Sequence, residues 1–453
     1  MARAGPSATD VARALTHLEP TRWFAAAAVD WAVIALTFLL VGAIDHPLAY
    51  ALAIIPLGSR QQALGALFHD AAHFLVSGKR WHNDVAGNLL AAWPLGLTLG
   101  GYRRYHFAHH RHLGSPDDPE NHHKGLLRQW PLPARPGPVL GWFVSDLLGG
   151  GLPHLLAAGK LTRPTRIGEA LGLLAFWAAV GACFWRLDAL WVPILWVVSI
   201  ATVFWSGVRL RIWTEHLGTR STHRIAVPEW VEQLIMPHNI GLHYEHHLDP
   251  RVPFYHLSAL RQALPEPPIV SLRALARAFV TSERLASGEV GSAVAPRSSA
   301  VATPPRRKGW RSHILLPLAI GVALYALLRP RGLLAHAWLE RLGLPAPGLA
   351  LSAGPLAPIV ACLPSALWSY ALTATVARLW RGREARARRG WLAATLVVVV
   401  GWELGQAAAL WGGFFSAADL LASIVAFAAA VRYSGAAGGA EPSEQDHRQP
   451  TTP

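Results

Sequence analysis

Two cysteines and two methionines are all the sulfur in 453 residues. Cys183 and Cys362 each lie inside an apolar run, far from one another, which argues against a disulfide framework and against a cysteine-held zinc or iron–sulfur site. Charge is scarce as well, at 15% of residues against 52% hydrophobic ones. With a mean hydropathy of +0.28, the chain is too apolar for an ordinary soluble enzyme and reads as an integral membrane protein. Acids are the rarer charges, 27 against 41 lysines and arginines, for a net +14. Much of the basic excess falls in short stretches such as RGREARARRG (381–390), which suit loops facing anionic lipid and not nucleic acid. The opening MARAGPSATDVARALTHLEPTRW lacks an apolar core ending in a small-residue cleavage site. No removable signal peptide is expected there, and the first span itself directs insertion.

What is present is organised around apolar runs long enough to cross a hydrocarbon core, which takes about 20 residues. Four fall in the first half, at 24–43, 48–68, 168–185 and 189–208. The short joints IDHP and RLD make them two tight antiparallel hairpins. The segments that follow each hairpin carry Arg103, Arg104, Arg111, Lys124 and Arg128, then Arg209, Arg211, Arg220 and Arg224, so the positive-inside rule puts those segments in the cytoplasm. Runs at 85–100 and 139–156 are short and broken by Gly and Pro, and read as interfacial or re-entrant. Residues 1–23 form a cytoplasmic N-terminal segment and 24–280 the main domain. A Ser/Ala/Pro-rich linker follows at 281–311, then a multi-span C-terminal module at 312–435 and a disordered tail at 436–453. The module has apolar stretches at 314–328, 356–379, 391–411 and 420–431, the last short for a span.

Histidine is concentrated in one region, where 17 of the 22 lie between His69 and His256. HDAAH puts His69 and His73 at i and i+4, on one helical face. HFAHH puts His106, His109 and His110 at i, i+3 and i+4, and HYEHH repeats that spacing with His243, His246 and His247. Each triple can present three nitrogens to a divalent ion that prefers imidazole. Three protein ligands are enough for a catalytic zinc, so eight imidazoles point to two ions. Imidazole-rich sites with open positions suit iron that activates dioxygen, although composition leaves iron and zinc both open.

HDAAH, HFAHH and HYEHH, with the flanks YRRYHFAHHRHLGSPDDPE and HYEHHLDPRVPFYHL, resemble the three histidine boxes of the membrane fatty acid desaturase superfamily over about half of the chain. The resemblance implies an all-α integral membrane fold: a four-span helical bundle with a cytoplasmic histidine-box cap, here followed by the C-terminal helical module. It implies a non-haem di-iron centre with dioxygen as co-substrate, and a lipid or fatty acyl substrate embedded in membrane lipid. Carried over box by box, the eight histidines are the metal ligands, and His216 in RIWTEH is a ninth candidate, or else a polar anchor at a helix end. The catalytic residues beyond the metal centre are not indicated, and no further bound cofactor is implied. Desaturation is the first expectation, with lipid or carotenoid hydroxylase or ketolase chemistry as the alternative, since both begin with C–H abstraction. A non-enzymatic metal-binding membrane protein is the rival of another class. The absence of any haem or iron–sulfur module implies a separate electron donor such as a ferredoxin.

Asp70, Asp117, Asp118, Glu215 and Glu245 are candidates to accept the free N–H of ligand imidazoles, with Asp117 and Asp118 also able to form a turn before Pro119. His112, His122, His123, His223, His238 and His256 fall outside the matched spacing and read as surface or supporting groups. Asp249 departs from the apolar residue common at its place in relatives. In the C-terminal module Glu403, Gln406 and Asp419 stand in apolar surroundings and suggest function or helix pairing, with Asp419 equally placed to cap the last helix. That stretch distantly resembles VanZ-type membrane modules.

Overall fold

The computed structural model describes residues 12–120, 135–217, 219, 221–264, 269–280, 313–314, 316–328, 334–344, 357–379, 385–408 and 416–436. The expected linker at 281–311, residues 437–453 of the expected tail, and His122 and His123 lie outside these. The chain forms two compact units, Met1–Val301 and Ala302–Pro453.

In the first unit, α1 (Pro20–Ile44) and α2 (Pro47–Ala72) form the first hairpin, each with a proline in its opening turn, where no amide donor is needed. At its tip Asp45 adopts φ 45 and its amide donates to the Val41 carbonyl at 2.8 Å. Asp188 (φ 54) turns the second hairpin, between α7 (Ile167–Arg186) and α8 (Trp191–His216). Aspartate is one of the few side chains that visit this left-handed conformation readily, because it can hydrogen-bond locally.

Helices α1, α7 and α8 are long and apolar enough to cross a membrane. By contrast α2, though 26 residues long, is interrupted by Ser59-Arg60-Gln61-Gln62, and it does not meet that test. Their nitrogens are bonded inward, while Oε1 of Gln61 and of Gln62 is buried without a hydrogen-bond partner. Gln61 Nε2 donates to the Trp196 carbonyl at 3.0 Å and Gln62 Nε2 to the Phe204 carbonyl at 2.6 Å. Arg60 Nη1 donates to buried Asp30 at 2.8 Å, and the other Asp30 oxygen meets His238 Nε2 at 2.7 Å. Away from water each such group needs an internal partner. Gly58 lets α2 approach α8 closely: a Cβ there would lie 2.5 Å from Val203. Opposite, α8 makes a π-helical turn at Ile200–Phe204.

The run at 85–100 does not span. It comprises α3 (Arg80–Gly87), a π-helical turn (Asn88–Ala92) and a short Pro94 turn before α4 (Leu99–His112). Three tryptophans hold this stretch by donating indole N–H groups to its carbonyls: Trp31 to Leu90 (2.9 Å), Trp177 to Trp93 (2.9 Å) and Trp196 to Pro94 (2.7 Å). The run at 139–156 bends by 80° between Pro136–Gly150, which contains α5 (Pro136–Ser145), and α6 (Leu152–Leu161). Gly149 takes φ 90 at the bend. Beside it Asp146 forms a fully buried bidentate pair with Arg209 of α8, which includes an Nη2–Oδ1 contact of 2.8 Å.

After α8 come α9 (Glu229–Leu234), α10 (His243–Leu248), α11 (Leu257–Ala263) and α12 (Leu272–Val280). One amendment to the all-helical expectation occurs here. Ile225–Ala226 and Val270–Ser271 pair as a two-residue parallel ladder, extended by the Val270 amide donating to the Arg224 carbonyl at 2.8 Å. Two apolar clusters support this region. Trp213, Ile225, Met236, Leu275 and Phe279 form one; Ala12, Leu242, Val252, Leu257 and Leu260 form the other.

The second unit consists of α13 (Leu316–Leu328), α14 (Leu334–Arg341), α15 (Ala357–Leu379), α16 (Ala385–Ala407) and α17 (Ala417–Ala436) among the described residues. Residues Arg388–Ala407 of α16 meet the spanning test. The last helix is longer than its short apolar run implied, at 20 residues. Small buried residues, Ser369, Ala374, Ser423 and Ala430, let α15 and α17 pack closely. Ser416 accepts the Asp419 amide at 3.4 Å and so occupies the cap position at the start of α17, whereas the Asp419 side chain is buried.

Candidate metal centre

All nine singled-out histidines converge, in two groups. His69 and His73 from the end of α2, His106 and His110 from α4 and His246 from α10 form the first, and His109, His216, His243 and His247 form the second. Within each group the ligand-capable atoms all lie within 4.8 Å of one another. The i/i+3/i+4 spacing divides each triple between the groups. His106 and His110 face one centre and His109 the other, while His243 and His247 face the second and His246 the first.

The Nε2 atoms point at each other. His110 and His106 approach to 2.9 Å, and His246 and His110 to 3.1 Å. In the second group His216 and His243 approach to 2.9 Å, and His247 and His243 to 3.0 Å. Buried Nε2 atoms of His69 and His73 have no hydrogen-bond partner. Burial, reinforced by repulsion from neighbouring imidazoles, pushes His73 down to about 3 and His110 to about 4, and holds His106, His243 and His246 well below the ordinary value. The rings are therefore neutral near pH 7, with lone pairs available to a cation. Adjacent corners of an octahedron with bonds of about 2.1 Å lie about 3.0 Å apart, so these separations fit the edges of an octahedral shell.

The carboxylates fall into different surroundings. Asp118 accepts from His109 Nδ1 at 2.9 Å and also from the amides of Gly114 and Glu120, and these bonds hold its carboxyl below the usual range despite burial. Glu215 is clasped by Arg211 at 2.9 Å, with its other oxygen 3.7 Å from His243 Nε2. Asp70 lies 3.9 Å from His69 Nδ1 and accepts the Phe254 amide at 3.0 Å, so it ties the third box's turn to the first box. Glu245 is turned away from the imidazoles: Arg224 binds it at 2.9 Å and Arg261 at 2.7 and 2.9 Å. Asp117 is exposed and closes a local turn through the Ser115 hydroxyl. Asp249 is clasped by Arg251 at 2.9 and 2.8 Å, which makes it a local brace at the end of α10.

Glu120 was not singled out in the sequence. Its Oε2 lies 3.6 Å from His109 Nδ1 and 3.7 Å from His216 Nε2. The signal was its place in the DDPE turn, two residues beyond Asp118, whose carboxylate takes the Glu120 amide. Among the unmatched histidines, His223 bonds the Leu217 carbonyl at 2.8 Å and His238 bonds Asp30. Both are built into the frame and neither joins the metal groups.

Histidine groups compatible with metal, set on helices beside candidate membrane spans, define an integral membrane protein with a candidate metal centre. The chain belongs to the fatty acid desaturase family, whose model it matches over residues 45–271. It is similar to the dihydrorhizobitoxine desaturase of Bradyrhizobium elkanii, 28% identical over 277 residues, which cover 54% of this chain and 76% of that protein. A beta-carotene ketolase of Paracoccus sp. (strain PC1) is 28% identical over 243 residues, 52% of this chain and 90% of the ketolase. The sn-1 acyl-lipid omega-3 desaturase (ferredoxin) of Nostoc sp. (strain 36) is 24% identical over 263 residues, 52% and 72% of the two chains.

Proposed function

We propose that the chain is a di-iron desaturase acting on the hydrocarbon chain of a membrane lipid, its two irons held by the five- and four-histidine groups. The observation that carries this reading is the convergence of nine imidazoles in two groups, with Nε2 pairs in each at octahedral-edge separations. Iron held there would, with dioxygen and two electrons, supply the oxidising chemistry that an unactivated C–H bond requires. The protein's own part is to hold and enclose. Asp118 fixes the His109 ring and leaves its Nε2 for the metal, Arg211 restrains Glu215 beside His243, and Tyr102 stacks on His106 at 5.0 Å with Phe68 edge-on behind it. Replacing Asp118 by alanine is expected to weaken the second centre's hold on its ion about 10–100-fold, read by chelator competition on the purified protein.

The boxes lie on the cytoplasmic side in this reading, because of the basic segments around them. Exposed Arg111 and Arg251, directly after the second and third boxes, offer a basic rim to an acidic electron carrier such as a ferredoxin. The likeness to a ketolase along most of the latter's length supports a second reading, oxygen insertion into a carotenoid or lipid. Mass spectrometry of lipids from expressing cells separates the two. A product lighter by two hydrogens is expected, and one heavier by an oxygen, or by an oxygen less two hydrogens where a ketone forms, transfers the assignment to the second reading. We place the main domain at 24–280 and a separate VanZ-like module at 312–435, joined by the linker at 281–311, with a structural or lipid-handling role for the module. Buried Glu403 and Asp419 support that assignment.

A further inference from the structure

A third group of metal-capable side chains lies outside both histidine centres: His17, Glu19 and His256, whose ligand atoms are all within 4.8 Å of one another. His17 and Glu19 precede α1, and His256 follows the turn after the third box. The segment before α1 is docked there, with Ala12 and Leu15 packed on Leu242, Val252, Leu257 and Leu260. The Glu19 amide also donates to the Tyr255 hydroxyl at 2.7 Å.

Within the group, Glu19 Oε1 lies 3.5 Å from His17 Nε2 and 3.4 Å from His256 Nε2. These separations are long for charge-assisted hydrogen bonds, which run at about 2.7–2.9 Å. They match the edge of a tetrahedron built on zinc bonds of about 2.0–2.1 Å, which is about 3.3–3.4 Å. His256 Nε2 is buried and has no hydrogen-bond partner. The remaining polar atoms of the other two residues are held as a metal ligand's usually are. His17 Nδ1 is 3.2 Å from the Ala14 carbonyl, which leaves Nε2 with its lone pair toward Glu19, and Arg22 Nε binds Glu19 Oε2 at 2.9 Å, which leaves Oε1 inward. The His17 side chain is 56% exposed, so the site opens to solvent on one side, where water completes the shell.

We propose that His17, Glu19 and His256 form a zinc site, separate from the oxidative centre, that clamps the segment before the first span onto the turn after the third histidine box. Two imidazoles and one carboxylate suit zinc, and so small a set, of mixed nitrogen and oxygen donors, differs from the all-imidazole pairing of the two larger groups. The clamp does not depend on what the larger groups catalyse.

The test uses the full-length chain in detergent, loaded with iron and equilibrated with buffered zinc, with zinc and iron counted by mass spectrometry. One zinc per chain is expected, taken up with no loss of iron. His17→Ala, a change at an exposed side chain, is expected to weaken zinc more than about 100-fold, beyond what losing a ligand's supporting partner costs, and Glu19→Gln to do likewise, with iron unchanged in both. Zinc should also slow tryptic cleavage after exposed Arg13 in the parent chain but not in either variant. The proposal is overturned if the parent binds no zinc beyond its iron, if zinc enters only as iron leaves, or if His17→Ala binds zinc as tightly as the parent.

Discussion

Alanine at His73 is expected to empty one metal position and leave the other filled, and alanine at His216 to do the reverse. His73 belongs to the five-histidine group and His216 to the four-histidine group, and neither side chain reaches across. Each variant should retain one iron per chain in place of two, and each should lose turnover by more than about 100-fold, since disturbing even a ligand's hydrogen-bond partner costs 10–100-fold. Iron content and product yield on the same preparation check this. The five-and-four assignment fails if both variants lose both irons or if both keep them. His216 is the sharper case, because the alternative reading makes it a polar anchor at a helix end: an anchor's loss would lower thermal stability and leave two irons in place.

Asp146→Ala is expected to destabilise the protein by about 3–5 kcal/mol, the largest effect on stability outside the histidine groups. The change removes both oxygens of a bidentate contact and leaves the guanidinium of Arg209, 2% exposed, deprived of that carboxylate between the bend at Gly149 and α8. Removing both charges together, as Asp146→Leu with Arg209→Met, is expected to recover most of the loss, because well-packed apolar residues replace buried ion pairs with little penalty. Thermal unfolding in detergent for the two single variants and the double variant closes the cycle. Equal destabilisation in all three would show that the bend is held by packing and not by the pair.

Much of this architecture was legible in the sequence because membrane spans and histidine spacing are both periodic signals. Three of the four expected spans in the first unit coincide with helices α1, α7 and α8, and every box histidine sits at its group. What stayed hidden depends on partners distant in sequence. The run at 48–68 reads as a span like the others, and its polar Ser59–Gln62 stretch is explained only by its distant partners Asp30, Trp196 and Phe204. Glu245, flanked by histidines, looked like their support, yet Arg224 and Arg261 take both of its oxygens. Asp249, an oddity in the sequence, needed only Arg251 two residues on. The hairpin tips were readable from the short joints, but not their left-handed aspartates. The division into five and four needs the facing of three helices at once, which spacing within one helix does not supply.

That division makes the α-helix itself the measuring stick of the site. Since α4 and α10 each place histidines in both groups, the separation of the two groups follows helical pitch and the angle per residue, quantities that a change of side chain does not alter. A single residue inserted within either box would rotate its histidines by about 100° and hand them to the wrong centre or to none. Loops and spans can vary around such a gauge, while the separation of the two histidine groups stays calibrated by the backbone.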